Sequence, residues 1–458
     1  MAGSFLIATA RELVEAEADR YVGWLTEACS IPSLAGRPED LAAMAAWVED
    51  RFRELGGEPE RLTIQGAPDA LLCTFGEGAR SVLIYDHYDV QPVDPIELWE
   101  SEPFTPKIRD GIFFARGAAD NKGDLVARLA GLEVYQKLHG DLPVRVKFFV
   151  EGEEETGSKS FEDLVHTYGE RLAADGCIWE GMGIDHAGRP EFVFGAKGLA
   201  YVELTYRGLN DDQHSSLAVV VPSPVWHLVE ALSTLRSPDG RVLIDGFYDD
   251  VVAPTAADEE LLAALPFEED AERKRLGVEN FVGGDSGIDL LRRYYFEPTC
   301  NIAGIDAGFT VPGASKTVLP KEALAKLDMR LVPNQDPTDI FAKLRRHLDA
   351  RGFGDIDIKE FSAEHPVRSP ADSLIARAAI EAADVFDAPS AVSPLMIGTG
   401  PMYPIAHTLG IPTVSPAGVH RPDSNIHAPN ENCRVDDFLK IVEYTVRWIE
   451  RFAEVADS

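Results

Sequence analysis

Three short apolar runs each break off into a cluster of acidic or imidazole residues, and this pattern restricts the chain to a fold whose buried strands end at comparable places. Val82-Leu83-Ile84-Tyr85 leads into Asp86-His87-Tyr88-Asp89, Val144 to Val150 leads into Glu151-Gly152-Glu153-Glu154-Glu155, and Cys177-Ile178-Trp179 ends at Glu180. Continuous apolar runs of this length suit strands covered on both faces. Around them lie stretches with helical spacing, such as Leu41, Met44, Ala45, Val48, Phe52 and Leu55, closed by Gly56-Gly57. The alternation predicts an α/β sheet with helices on both faces. In open sheets of this kind the chemistry gathers in loops beyond the strand ends.

Two further segments carry the same residue types: Arg116-Gly117-Ala118-Ala119-Asp120-Asn121-Lys122-Gly123, and Asn425-Ile426-His427-Ala428-Pro429-Asn430-Glu431. Taken singly, each motif is ordinary, since Asp-Asn suits a turn and a glutamate run suits the start of a helix. The glutamate run is set apart by Gly152 and Gly157, which bracket it directly after a buried strand. Together His87, Asp120, Glu155, Glu180 and His427 form a mixed nitrogen and oxygen ligand set. Such a set suits a borderline cation such as Zn²⁺, with Mn²⁺ or Co²⁺ as alternatives, and leaves room for water. A hydrolase with two metals is the reading these residues favour.

Composition limits the partners. The chain has 458 residues, enough for two domains or one with a large insertion. It carries 43 Lys and Arg against 77 Asp and Glu, a net charge of −34, which repels nucleic acid and anionic lipid alike. Cys29, Cys73, Cys177, Cys300 and Cys433 are far apart and odd in number, which argues against a disulfide framework and against a thiolate zinc site. Arg11, Glu12, Glu15 and Glu17 interrupt any secretory leader, and no apolar run approaches a membrane span. A cytoplasmic, soluble protein is expected.

The middle of the chain has a different texture. Val202, Leu204 and Tyr206 alternate with polar or small neighbours, Pro224 to Leu235 reads as a helix, and a loop-rich section follows. Leu324, Leu327, Met329 and Leu331 then suggest a strand, and Pro337 to Ala350 a helix. The order suits a small α+β insertion over residues 199–369, its edges near Gly198 and Ser369, with residues 1–198 and 370–458 forming the catalytic domain. The last helix, Val435 to Val455, carries Phe438, Ile441, Val442, Thr445, Val446 and Ile449 on one face and should pack on that domain.

The ordered series His-x-Asp, Arg-Gly-x-x-Asp-x-Lys-Gly, Glu-Glu-x-Gly-Ser, an acidic residue before Gly, and His-x-Pro-Asn-Glu resembles the M20 metallopeptidases. These include dipeptidases of the carnosinase type, glutamate carboxypeptidase, and the acetylornithine and succinyl-diaminopimelate deacylases. The resemblance spans about residues 15 to 455. It implies two zinc ions bridged by Asp120, with His87 and Glu180 completing one site and Glu155 and His427 the other. It also implies that Asp89 fixes the ring of His87 and that Glu154 is the general base. In the insertion, Asp211-Asp212-Gln213-His214-Ser215-Ser216 resembles the segment whose histidine stabilises the oxyanion in a partner subunit, which implies a homodimer formed through a lid domain. Thr317 and Arg330 match positions that hold the substrate's carboxylate, a task suited to arginine's planar fork.

The chain departs from that pattern in places. Where the dipeptidases carry a Gly-Gly-Ser-Ile-Pro loop that contributes to substrate binding, this chain has Gly398-Thr399-Gly400-Pro401-Met402, so Thr399 and Gly400 become the substrate-binding candidates. Glu180 is aspartate in many dipeptidases and glutamate in many carboxypeptidases and deacylases, whereas Thr317 resembles the carnosinase-like branch. The expected activity is hydrolysis of a small peptide ending in a free carboxylate, a dipeptide foremost. An N-acyl-amino-acid deacylase or a carboxypeptidase is the alternative, and a non-catalytic binding protein is a third reading disfavoured by the intact Glu154.

Overall fold

The computed structural model describes residues 2–456, which separate into two compact units. The first comprises residues 1–195, 368–394 and 401–458, and the second residues 196–367 and 395–400. The sequence assigns residues 395–400 to the first group. They join the second because Lys197 N donates to Met396 O at 3.0 Å and the Arg330 guanidinium donates to Thr399 Oγ1 at 2.7 Å.

The first unit is built on a six-stranded sheet in the order Glu60–Leu62, Ala70–Phe75, Arg145–Glu151, Ser81–His87, Gly176–Trp179, Thr413–Val414. The last four strands run parallel to one another, and the first two are antiparallel additions at one edge. Register fixes the site. His87 stands opposite Glu151, and Tyr85 opposite Trp179, so His87, the glutamate run and Glu180 leave the sheet at the same end. Every residue of Ser81–His87 is buried, and Tyr85 stacks on Trp179 with ring centroids 3.6 Å apart. The apolar run is therefore a reliable sign of a central strand.

Two long helices support that end. Lys122–His139 begins just after Asp120 and is buried over most of its length, its charged Lys122, Asp124 and Arg128 included, as suits a central helix. Its Gly131 lies against Val435–Glu454 so closely that a Cβ there would meet Thr445 Cβ at 2.4 Å. The C-terminal helix buries Phe438, Ile441, Val442, Thr445, Val446 and Ile449, the face expected from its spacing.

The second unit has an antiparallel sheet in the order Asn301–Ala307, Glu322–Leu331, Gly198–Arg207, Asp357–Glu364. Residues alternate strictly between buried and half-buried along Glu322–Leu331, and the buried set, with Ala200, Val202 and Leu204, packs on the helices Pro224–Ser233 and Pro337–Ala350. The section expected to be loop-rich holds three short helices: Ala256–Ala264, Glu269–Leu276 and Gly287–Phe296. A small apolar cluster of Leu262, Leu291 and Phe296 joins the first and third, and local polar contacts that apolar periodicity misses add to their order. Thr255 and Asp258 form a reciprocal capping box, and Arg273 reaches back four residues to Glu269.

Candidate metal centre

Each candidate ligand in the first unit is set in place by a strand end or a turn. His87 is the last residue of its strand and is fully buried. Its Nδ1 lies 3.2 Å from the Asp89 carbonyl and 3.3 Å from Asp89 Oδ1, which fixes the ring and directs Nε2 to Asp120 Oδ1 at 3.0 Å. The Asp89 carboxylate also accepts the N–H groups of Glu154 and Glu155 at 3.2 and 3.0 Å, tying the histidine turn to the glutamate turn. From the C-terminal loop, His427 places Nε2 3.0 Å from Asp120 Oδ2 and 3.0 Å from Glu155 Oε2. Asp120 thus presents one carboxylate oxygen to each imidazole. Ligand atoms of His87, Asp120 and Glu155 all lie within 4.8 Å of one another.

Glu180 follows the neighbouring strand, within electrostatic reach of Glu154, His87 and Asp120. Its N–H donates to Tyr85 O at 3.0 Å, and its own carbonyl accepts from Arg128 at 2.6 Å. The residue has a positive φ of 27°, uncommon for a side chain of this size. Glu180 Oε1 is buried without a hydrogen-bond partner.

The electrostatics follow from crowding carboxylates where water is scarce. Burial, then the charges of Glu154, Asp120 and Asp86, push the Glu180 carboxyl well above the usual range. Burial, reinforced by Asp120, Glu155 and Asp89, takes Glu154 up to about 7. Burial alone would depress His87, but hydrogen bonds with Asp120 and Asp89 carry it well above an ordinary histidine. Hydrogen bonds with Asp120 and Glu155 raise His427 to about 10. Asp120 moves the other way: its two imidazole partners outweigh the cost of burial. The raised carboxyls of Glu180 and Glu154 and the raised imidazoles express a demand for positive charge, which for Asp120 its two imidazoles meet, and the orphaned oxygen of Glu180 points to the same need. The donor set of imidazole nitrogens and carboxylate oxygens fits divalent cations of the zinc type.

One residue of the site is not apparent from the sequence. Glu431, fully buried, accepts from Arg116 Nη1 at 2.7 Å and Gly117 N at 2.9 Å through one oxygen, and from Ala119 N and Asp120 N at 2.9 and 3.0 Å through the other. It clasps the loop that carries Asp120 to the loop that carries His427. Its place in His-x-Pro-Asn-Glu is the one signal the sequence offers.

The remaining candidates belong to the second unit. The strand pair Gln213–His214 and Val318–Leu319 sets His214 beside Thr317, with Nε2 3.4 Å from Thr317 Oγ1 and Nδ1 2.9 Å from Ser216 Oγ. Arg330 donates to Thr399 Oγ1 and lies 3.3 Å from Asp328 Oδ1. Gly400 is unobstructed: a Cβ on it would find its nearest neighbour, Met396 Cε, at 3.9 Å.

Residues 83–451 match peptidase family M20/M25/M40. The chain belongs to this family. It is accordingly a metallopeptidase by class. Among relatives, it is 27% identical to the Cys-Gly metallodipeptidase dug1 of Schizosaccharomyces pombe, over 97% of this chain and 98% of that protein. An M20 family metallo-carboxypeptidase from Sulfolobus solfataricus superposes with a TM-score of 0.87 at 37% identity, covering 95% of this chain and 99% of that one. Human carnosine dipeptidase 1 superposes with a TM-score of 0.74 at 25% identity, covering 98% and 100%.

Proposed function

We propose that this protein hydrolyses the peptide bond of dipeptides with a free carboxylate, using two zinc ions. The observation that carries this reading is Asp120, whose two oxygens each face a different imidazole at 3.0 Å. In it, His87, Asp120 and Glu180 would hold one ion, and Asp120, Glu155 and His427 the other. Divalent ions there supply Lewis acidity, polarising a carbonyl oxygen and lowering the pKa of water.

The chain's own residues do the rest. Glu154 stands next to a ligand without being needed as one, and its pKa of about 7 allows it to take a proton from the attacking water and deliver it to the leaving amine nitrogen. Asp89 keeps the tautomer of His87 by engaging Nδ1. The Arg330 guanidinium, already oriented by Thr399 and Asp328, grips the substrate carboxylate together with Thr317, and Gly400 leaves backbone room beside it. His214 is exposed with its ring set by Ser216, and it stabilises the oxyanion in the site of a second copy. Exposed Val219, Val220 and Trp226 on the same unit favour pairing of copies through it.

Among the described residues no helix is long and apolar enough to cross a membrane. All five cysteines are free and buried, and burial raises the thiols of Cys29, Cys73 and Cys300 to about 12, consistent with a reducing cytoplasm.

The likeness to a metallo-carboxypeptidase favours a second reading, in which the amino side of the scissile bond is acylated or extended. Metal analysis joined to a panel pairing free with N-acetylated dipeptides tests both. Two equivalents of zinc and faster turnover of the free dipeptides are expected. Faster turnover of the acetylated series would replace the dipeptidase with a deacylase or carboxypeptidase, and a protein free of divalent ions would remove the reading altogether.

A further inference from the structure

The second unit contains a cavity of about 470 Å³ whose charge is opposite to that of the rest of the chain. Overall the protein carries 77 acidic against 43 basic residues, yet this cavity is lined by Lys197, Arg236, Arg293 and Arg330 with Glu297 as the acid among its lining residues. Low-dielectric walls concentrate such a field, so the cavity selects anions from a molecule that otherwise repels them.

The four cations differ in availability. Arg293 is engaged with Asp285, Glu297 and the carbonyls of Val282 and Asp239, and contributes potential rather than free donors. Arg236 is exposed at the rim, its Nε 3.4 Å from Gly240 O. Lys197 is the unusual member. Only 4% exposed, it donates to Tyr294 O and Glu297 O at 2.8 Å each, at the end of the helix Gly287–Phe296, and no described carboxylate lies within ion-pairing distance of it. An ammonium has three donors, so one N–H is left over. Burial, with the neighbouring Arg330 opposing the help of Glu297, lowers the amine to about 8. Phe281, Val282, Leu290 and Ile397 add apolar wall beside these charges.

We propose that this cavity receives an acidic side chain on the carboxy-terminal residue of the substrate, so that the preferred substrates end in glutamate or aspartate. The inference rests on the reading that Arg330 holds the α-carboxylate. With that group on Arg330, a side-chain carboxylate within the same cavity meets the spare donor of Lys197 under the field of Arg236 and Arg293, and its methylenes lie on the apolar wall. Glutamine matches glutamate in shape and lacks only the charge, so the pair isolates the effect claimed.

The test is calorimetric binding of L-glutamate and L-glutamine to the full-length, metal-replete protein, alongside kcat/KM for Ala-Glu and Ala-Gln. Glutamate is expected to bind about tenfold or more tighter than glutamine, the order of a hydrogen bond between charged groups, and kcat/KM should follow. In Lys197→Met the ratio should fall toward one. Because Lys197 also caps a helix, Arg236→Glu provides a second variant at an exposed rim position, in which the ratio should fall several-fold. Equal binding of the two amino acids by the unaltered protein, or a ratio that survives in the folded variants, overturns the proposal. A protein that cleaves no dipeptide yet binds glutamate with this dependence on Lys197 keeps the cavity's assignment and loses the dipeptidase reading.

Discussion

A carboxylate that stands beside a candidate metal ligand but bonds to neither imidazole is free to move protons, and Glu154 meets that description. Glu154→Gln preserves shape and removes the base, so kcat should fall by about two to four orders of magnitude while metal content and melting temperature stay close to the original. Turnover within a few-fold of the original would send the search for a base elsewhere. Asp120 is different, because both of its oxygens are in use. Asp120→Ala should lose both ions, whereas His427→Ala, half-exposed and at the periphery, should chiefly weaken one. Inductively coupled plasma analysis after dialysis distinguishes them, and two retained equivalents in Asp120→Ala would end the bridging assignment.

At the scale of elements, the site depends on a clasp between distant loops. Every group touching the Glu431 carboxylate is a donor, so in Glu431→Gln an amide nitrogen must face N–H groups whichever way it turns. Breaking a buried charged pair of this sort costs about 3–5 kcal/mol. Metal affinity should also fall by roughly 10–100-fold, as for other residues that hold ligands from behind. Melting curves with and without chelator separate the two effects: a destabilisation identical in both would leave Glu431 purely structural. Gly131 gives a second element-scale expectation. An Ala there gains about 1 kcal/mol of helix propensity, but its methyl meets Thr445 and the Val442 carbonyl, and overpacking of about 1–3 kcal/mol should outweigh the gain in urea titrations. These contacts also explain what sequence can and cannot disclose. The strand before His87, the helix Pro337–Ala350 and the buried face of the C-terminal helix are legible because periodicity is local. Glu431 meets Arg116 from more than three hundred residues away, and Lys197 reaches carbonyls about one hundred residues on, so nothing in either neighbourhood announces the contact. The acidic helices after Thr255 are hidden for another reason, since Glu269–Leu276 buries no residue and rests on ion pairs, while Ala256–Ala264 contributes Leu262 to a small apolar cluster too short to show a stripe.

At the scale of the whole molecule, the position of His214 bears on whether one copy can work alone. It is exposed on the second unit, paired with Val318 across a short antiparallel ladder with its ring beside the Thr317 hydroxyl, and flanked by exposed Val219 and Val220, an arrangement suited to reaching a second copy. If it acts there, His214→Ala lacks the oxyanion donor and Glu154→Gln lacks the base, so each homodimer should be nearly inactive. In a mixed dimer with two-fold symmetry, one site combines Glu154 of the first subunit with His214 of the other and is whole, while the second site carries both defects. Random exchange of equal amounts makes about half of the dimers mixed, with one whole site in two, so roughly a quarter of the original activity should return. Exchange is followed independently by tagging one variant and recovering the other with it. Activity that stays at the level of the separate variants after exchange is complete would place His214 in its own subunit's chemistry or outside the reaction.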